Sequence, residues 1–171
     1  MQDRKRSISV HSEVVRARAE EVFPLLCPVR EYEWIEGWQG KLVYADSGLA
    51  ELDCVFTAEL FPEIGPETWT CSHYEPPRRI DYVRMSPHTV LRLELTLSPA
   101  GTGTRVEARI VATAVDETGD DRLAGFDTGL CQRHFGPCLR MLDHFLVTGA
   151  KLPQAEALAA VGLDGSGHAA P

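Results

Sequence analysis

The chain reads as one α+β domain. A curved, seven-stranded antiparallel sheet wraps a long helix near the carboxy terminus, and two short helices sit between the first two strands. Three observations predict this. A strand-like run precedes two short helical segments that meet at Pro28 and lead into Trp34 and Trp38. About six strand-like runs follow with no helical pattern among them. From Asp120 the apolar spacing changes from two to three and four residues, which is the helical period. This order closes a sheet over a helix and leaves a cavity between them. At 171 residues the chain is long enough for one domain with a full core.

The elements follow in turn. Ile8 to Arg16 is rich in β-branched residues and alternates loosely, as a strand does. Val10 and Val14 argue for one inward phase. Val15 leading into Ala17 argues for the other, which would turn His11 and Glu13 inward. Ala19 to Cys27 places Val22, Phe23, Leu25 and Leu26 at near-helical spacing, with Glu20 and Glu21 in the first turn, where the helix dipole favours them. Pro24 fits only near the start of that helix or at a kink. Val29 to Ile35 reads as a second short helix, ended by Gly37.

Strands are then expected at Lys41 to Ala45, Glu51 to Leu60, Glu67 to Tyr74, Arg79 to Met85, Thr89 to Leu97 and Arg105 to Thr113. Leu91, Leu93, Leu95 and Leu97 form a period-two apolar face. Pro76-Pro77 marks a turn and Gly101-Thr102-Gly103 a hairpin tip. Leu123, Phe126, Leu130, His134, Cys138, Met141 and Phe145 predict one helix of about 25 residues, capped by Asp120-Asp121 and kinked at Gly136-Pro137. Residues 1–149 form the domain. Residues 150–171 are an extension, with a short helix from Ala155 to Val161 and a flexible tail from Gly165 to Pro171.

The totals exclude several classes. A net charge of −8 disfavours nucleic acid and anionic membrane surfaces as partners. The basic run Arg4-Lys5-Arg6 reads as a solvated, frayed start. No apolar run approaches the ~18 residues of a membrane span, so the chain is not expected to be an integral membrane protein. The amino terminus opens with charged and polar residues rather than an apolar signal core, and the cytoplasm is the expected location. Five cysteines without a Cys-x-x-Cys spacing read as reduced, mostly buried thiols.

The element order, together with Val15 to Phe23, Cys27 to Trp38, Glu67 to Pro77 and Gly101 to Thr113, resembles the START-like superfamily. This is the birch-pollen-allergen-type helix-grip fold, which includes polyketide cyclase/dehydratase and lipid-transport proteins. The resemblance spans about residues 8 to 148. It implies a helix-grip architecture and a cavity for a hydrophobic molecule. It does not assign an activity, since the scaffold hosts carriers, receptors, cyclases and oxygenase domains. The oxygenase branch is set aside: the chain lacks its Cys-His cluster motif and its length.

Cys131, His134 and Cys138 share one face of the last helix and could ligate zinc with Cys71 or His73. Three ligands on one helix suit a tetrahedron poorly, and packing against the sheet explains the face without a metal; no metal or other cofactor is expected. His11, Glu13, His73 and Tyr82 are the weak catalytic candidates, as polar groups that could face the cavity and act as an acid–base pair. Trp34 reads as a core plug, and Trp38 as the better candidate for the mouth, near Tyr32 and Tyr44. Arg92 and Glu94 read as an exposed charge pattern opposite the leucines. The expected function is binding of a hydrophobic small molecule or lipid by Trp38, Phe56, Trp69, His73, Tyr82, Leu93, Cys131, His134, Cys138 and Met141. The alternative is a cyclase- or dehydratase-type enzyme. A third reading is an interaction protein whose cavity is filled by side chains. Oligomeric state is not legible.

Overall fold

The structure, a computed structural model, describes residues 3–163; the tail expected from Gly165 to Pro171 lies outside them. Among the described residues seven strands form one antiparallel sheet in the order β1-β7-β6-β5-β4-β3-β2. They are β1 (Arg6–Val15), β2 (Lys41–Tyr44), β3 (Val55–Ala58), β4 (Glu67–Glu75), β5 (Arg79–Met85), β6 (Thr89–Ala100) and β7 (Gly103–Ala114). The helices are α1 (Ala19–Val22), α2 (Glu117–Arg122), α3 (Leu130–Thr148) and α4 (Gln154–Ala160). The first and last strands of the chain pair with each other, from Arg6 opposite Thr113 to Val15 opposite Thr104. The leucine face of β6 is buried along its length, with exposures of 0–6%.

Several boundaries differ from the sequence reading. The first short helix is a single α-turn, α1, continued by a tighter 3-10 turn at Phe23–Leu26 that takes Pro24 near its start. The second is only a 3-10 turn, Glu31–Glu33. The third strand is shorter than Glu51 to Leu60. Its first residues form a turn in which Asp53 has a φ of 63°. The long terminal helix is two helices. Leu123 and Phe126 keep the apolar spacing and are buried, yet they sit in the connection between α2 and α3, where Gly125 and Gly129 weaken a helix. Asp116, not Asp120, caps α2, its Oδ1 accepting from Gly119 N at 2.9 Å. Asp120 instead binds the start of the chain, taking 2.8 Å from Arg4 Nη1 and 2.7 Å from Lys5 N, so these residues are seated rather than frayed. Helix α3 runs through Pro137 to a left-handed Gly149.

Helix α3 packs chiefly along β1, with a smaller contact on β7. That settles the phase of β1: Ser9, His11, Glu13 and Val15 face inward and Ile8, Val10 and Val14 outward. The inward polar groups are used by α3. Ser9 Oγ accepts from Cys131 N at 2.9 Å and donates to Thr128 O at 2.7 Å. It thereby pairs one of the amide groups that a helix start leaves without a partner. His11 Nε2 lies 3.1 Å from Glu13 Oε1, and Glu13 Oε2 lies 3.0 Å from Arg140 Nε. Arg16 holds Asp143 through its guanidinium and its backbone amide. Gly136 brings the helix close: a Cβ there would lie 3.6 Å from His11 Nε2. Helix α4 packs on α3 and buries Ala157.

On the outer face, Arg92 and Glu94 are more than an exposed pattern. Asp81 is fully buried and receives Arg79 and Arg92 at 2.7 and 2.9 Å, while Glu94 takes Arg109 at 2.9 Å.

Ser9→Ala is expected to lower the unfolding free energy by about 1–3 kcal/mol, because it strands the Cys131 amide and the Thr128 carbonyl. Ser12→Ala, whose hydroxyl is at the surface, should change it by less than about 0.5 kcal/mol. Urea denaturation of both variants checks this; equal stabilities would show that the β1–α3 strap is not held by Ser9.

Candidate functional site

Because α3 lies toward β1, the inner faces of β4, β5 and β6 are covered mainly by side chains from the turns between β1 and β2. The cover is incomplete. A cavity is left, lined by Leu26, Pro28, Glu31, Trp34, Ile35, Trp38, Leu60, Trp69, Tyr82, Leu93, Leu95, Val106, His134, Phe135, Cys138 and Leu139. Its open interior measures about 50 Å³. On that measure one water needs roughly 10–15 Å³, so the space holds a few waters and a larger guest enters only if side chains move. Glu31, Ile35, Trp38, Leu60, His134, Phe135 and Cys138 are half-buried, and the other lining residues are buried. A wider hollow of about 510 Å³ lies elsewhere, open to solvent between the 62–66 loop, Pro87, His88 and Arg122.

Of the residues expected to bind ligand, Trp38, Trp69, Tyr82, Leu93, His134 and Cys138 line the cavity. Phe56, His73, Cys131 and Met141 do not. Phe56 is buried behind the wall, 5.0 Å from the Trp69 ring and 5.4 Å from the Tyr82 ring. The Cys131 thiol donates to Ser9 O at 3.1 Å, and Met141 is buried in the core. His73 is partly exposed beside Glu75 at 3.4 Å, past an irregularity in β4. His11 and Glu13 do form a pair, but under α3 and outside the cavity. Among the described residues no three His, Cys, Asp or Glu side chains are placed to hold a metal ion, so Cys131, His134 and Cys138 do not converge.

Trp34 is a plug, 3% exposed, its Nε1 donating to Leu25 O at 2.9 Å, and its ring also reaches the cavity. Trp38 is tied by Nε1 to Pro28 O at 2.8 Å. Tyr32 and Tyr44 face outward, at 46% and 62% exposure.

The sequence reading missed Glu31. It stands with Trp34, Ile35 and Trp38 at spacings of three, four and seven, a helical face that could have marked it. Nothing among the described residues pairs with its carboxylate, and burial alone pushes its pKa up to about 8. His134 moves the other way, down to about 4, through burial and then the nearby positive charges of Arg84 and Arg133. Burial pushes Cys138 up to about 12 and Tyr82 well above the ordinary tyrosine value, and Glu31 adds to both. The Tyr82 hydroxyl donates to Leu26 O at 3.1 Å. Near neutral pH the titratable groups on this wall are therefore mostly uncharged.

Glu67 and Arg84 were missed as well. Glu67 shares the period-two phase of Trp69 and Cys71, and Arg84 that of Ile80 and Tyr82, which was the available signal. Their side chains are fully buried and form an ion pair behind the cavity. The guanidinium carbon of Arg84 lies 4.1 Å from the centre of the Trp69 ring and 4.6 Å from that of Phe61. His134 meets Phe61 edge-on at 4.2 Å. Burial raises the Glu67 pKa and lowers that of Arg84, each opposed by the attraction of its partner.

The solved structures decide what this architecture is. CalU16 from Micromonospora echinospora matches with a TM-score of 0.57 and 19% identity over 94% of this chain and 98% of its own. A norcoclaurine synthase point mutant from Thalictrum flavum, solved with a transition-state analogue, matches at 0.61 and 8% identity, over 84% and 99%. This is the helix-grip fold. DynU16, from the dynemicin biosynthetic locus, also has it, with a TM-score of 0.55 and 16% identity. The match covers 84% of this chain, which spans about half, 48%, of that longer protein. No family model matches the sequence, and no curated protein does. At these identities the helix-grip likeness establishes architecture alone. No helix among the described residues is long and apolar enough to cross a membrane.

Two opposite pH dependences are expected. Below pH 8 folded Glu31 keeps a proton that the unfolded chain releases near 4.5, so its contribution to stability falls as pH rises from about 4.5 to 8. His134 is protonated near 6.5 when unfolded and near 4 when folded, so its contribution falls as pH drops from about 6.5 to 4. Urea midpoints measured from pH 4 to 9 should lose the first slope in Glu31→Gln and the second in His134→Gln. Profiles parallel to the parent protein would contradict both.

Proposed function

We propose that the protein binds an uncharged, hydrophobic small molecule in the cavity between α3 and strands β4 to β6. The observation that carries this reading is the wall itself. Trp38, Trp69, Leu93, Leu95, Val106, Phe135 and Leu139 present apolar surface, and the polar groups among them are held mostly neutral. Apolar lining with a few placed polar groups is the usual composition of a small-molecule pocket. Lipids belong to the same class of guest. Entry requires side chains of the wall to move, since the space of about 50 Å³ holds only a few waters. The fold supports this reading, because the norcoclaurine synthase that shares it was solved with a transition-state analogue.

A second reading is acid–base catalysis on a polyketide-like substrate. Glu31 favours it: a protonated carboxyl and the neutral His134 imidazole line one cavity, which supplies an acid and a base. Tyr82 is less suited to proton transfer, because its hydroxyl is engaged by Leu26 O.

Organic extraction of the purified protein followed by mass spectrometry should recover an apolar compound in near-stoichiometric amount. A panel of lipids and aromatic compounds should raise the melting temperature by a few degrees. An empty extract together with no thermal shift across the panel would sink the binding reading. For the catalytic reading, a poly-β-ketone thioester should be turned over, and Glu31→Gln should slow turnover by about 100-fold or more while binding persists. Unchanged turnover in that variant would remove Glu31 from the chemistry.

A further inference from the structure

The buried polar atoms behind the cavity do not balance. Trp69 Nε1, Arg84 Nε, Arg84 Nη1 and Glu67 Oε1 are all shielded from solvent and have no hydrogen-bond partner. Buried polar groups are almost always paired, so four orphans in one cluster point to a missing partner. Three of the four atoms are nitrogen donors and one is an acceptor, so the missing partner is richer in acceptors than in donors. Trp69 connects this cluster to the cavity. Its ring lines the wall, and the Arg84 guanidinium stacks on that ring.

Charge narrows the partner further. Glu67 already answers the charge of Arg84, and its free oxygen would repel a second anion. His134, on the same wall, adds no positive charge at neutral pH. We infer that the inner end of the cavity, opened by the same side-chain movement that admits the ligand, is a subsite for an uncharged carbonyl group carried by an otherwise apolar ligand, with Trp69 Nε1, which has no surface open to the space as it stands, as its donor and Arg84 stacked on that ring. This rests on the cavity being a binding site, and it adds what the inner end of the ligand must carry. Trp69 is here a specificity-determining residue. Its pairing with Arg84 across β4 and β5 places the donor.

The test uses three small probes of one shape, acetophenone, ethylbenzene and benzoate, titrated into the full-length protein and its Trp69→Phe variant. Phenylalanine keeps an aromatic ring for Arg84 to stack on and removes the N–H; it also opens the buried space of the lost five-membered ring, which the ethylbenzene titration controls for. The variant should bind acetophenone about tenfold more weakly, the loss expected for one hydrogen bond of ordinary strength, and ethylbenzene within about twofold of the parent. In the parent, the Trp69 indole N–H resonance should move downfield with acetophenone and not with ethylbenzene. Equal changes for the two probes, or an unmoved indole resonance, would overturn the subsite, and fixed internal waters would then be the partners of these donors. Benzoate binding more tightly than acetophenone would overturn the assignment to an uncharged group. Ethylbenzene binding with no effect of the variant on acetophenone defeats the subsite alone, whereas failure of all three probes to bind defeats the cavity reading and the subsite with it.

Discussion

The position of α3 governs the rest of the molecule. The helix does not cross the middle of the sheet; it lies along β1, held by Ser9, Glu13 and Arg16. A helix covers only a strip about 10 Å wide. With that strip spent on β1 and β7, the inner faces of β4, β5 and β6 need another cover. The turns between β1 and β2 supply it with Leu26, Trp34, Ile35 and Trp38. Large rings bridging from short 3-10 turns close the gap less completely than a helix would, and the remainder is the cavity. The polar inner face of β1 is thus the origin of an apolar hollow farther across the same face of the sheet.

Behind that hollow the molecule keeps a buried ion pair. Taking two charges out of water costs several kcal/mol per ion, and mutual attraction offsets this fully only when the remaining hydrogen-bond capacity is also filled. For Glu67 and Arg84 it is not filled. Replacing a buried ion pair by well-packed apolar residues is often neutral or stabilising, so a pair left under-satisfied is weak evidence for a role in stability. The stacking of Arg84 on Trp69 and Phe61 recovers part of the desolvation and fixes the plane of the guanidinium. An under-satisfied polar group held in place beside a cavity is a common feature of binding sites.

The fold was legible because its strongest signals are local. The leucine alternation of β6 and the hairpin at Gly101-Thr102-Gly103 depend on neighbours within a few residues, and they sit where the sequence places them. The break between α2 and α3 was not legible, since Leu123 and Phe126 keep a helical spacing while the backbone leaves the helix to bury them. The inward phase of β1 was open for a different reason. His11 and Glu13 face inward only because Gly136 and Arg140, more than a hundred residues later, come to lie over them. The strand wall of the candidate site followed from the alternation, as Trp69, Tyr82 and Leu93 show. Glu31, Glu67 and Arg84 were hidden by residue type: a charged side chain is read as solvated unless its phase is weighed above its charge, and here the phase was right.

The central claim is that the space between α3 and strands β4 to β6 opens to admit an apolar guest. Methyl NMR of the full-length protein titrated with ethylbenzene tests it most directly. The account predicts saturable shifts shared by Leu93, Leu95, Val106, Leu139 and Ile35, with the outward-facing Val10, Leu42 and Val43 unmoved. Shifts confined to those outward residues, or none at saturating probe, would contradict it.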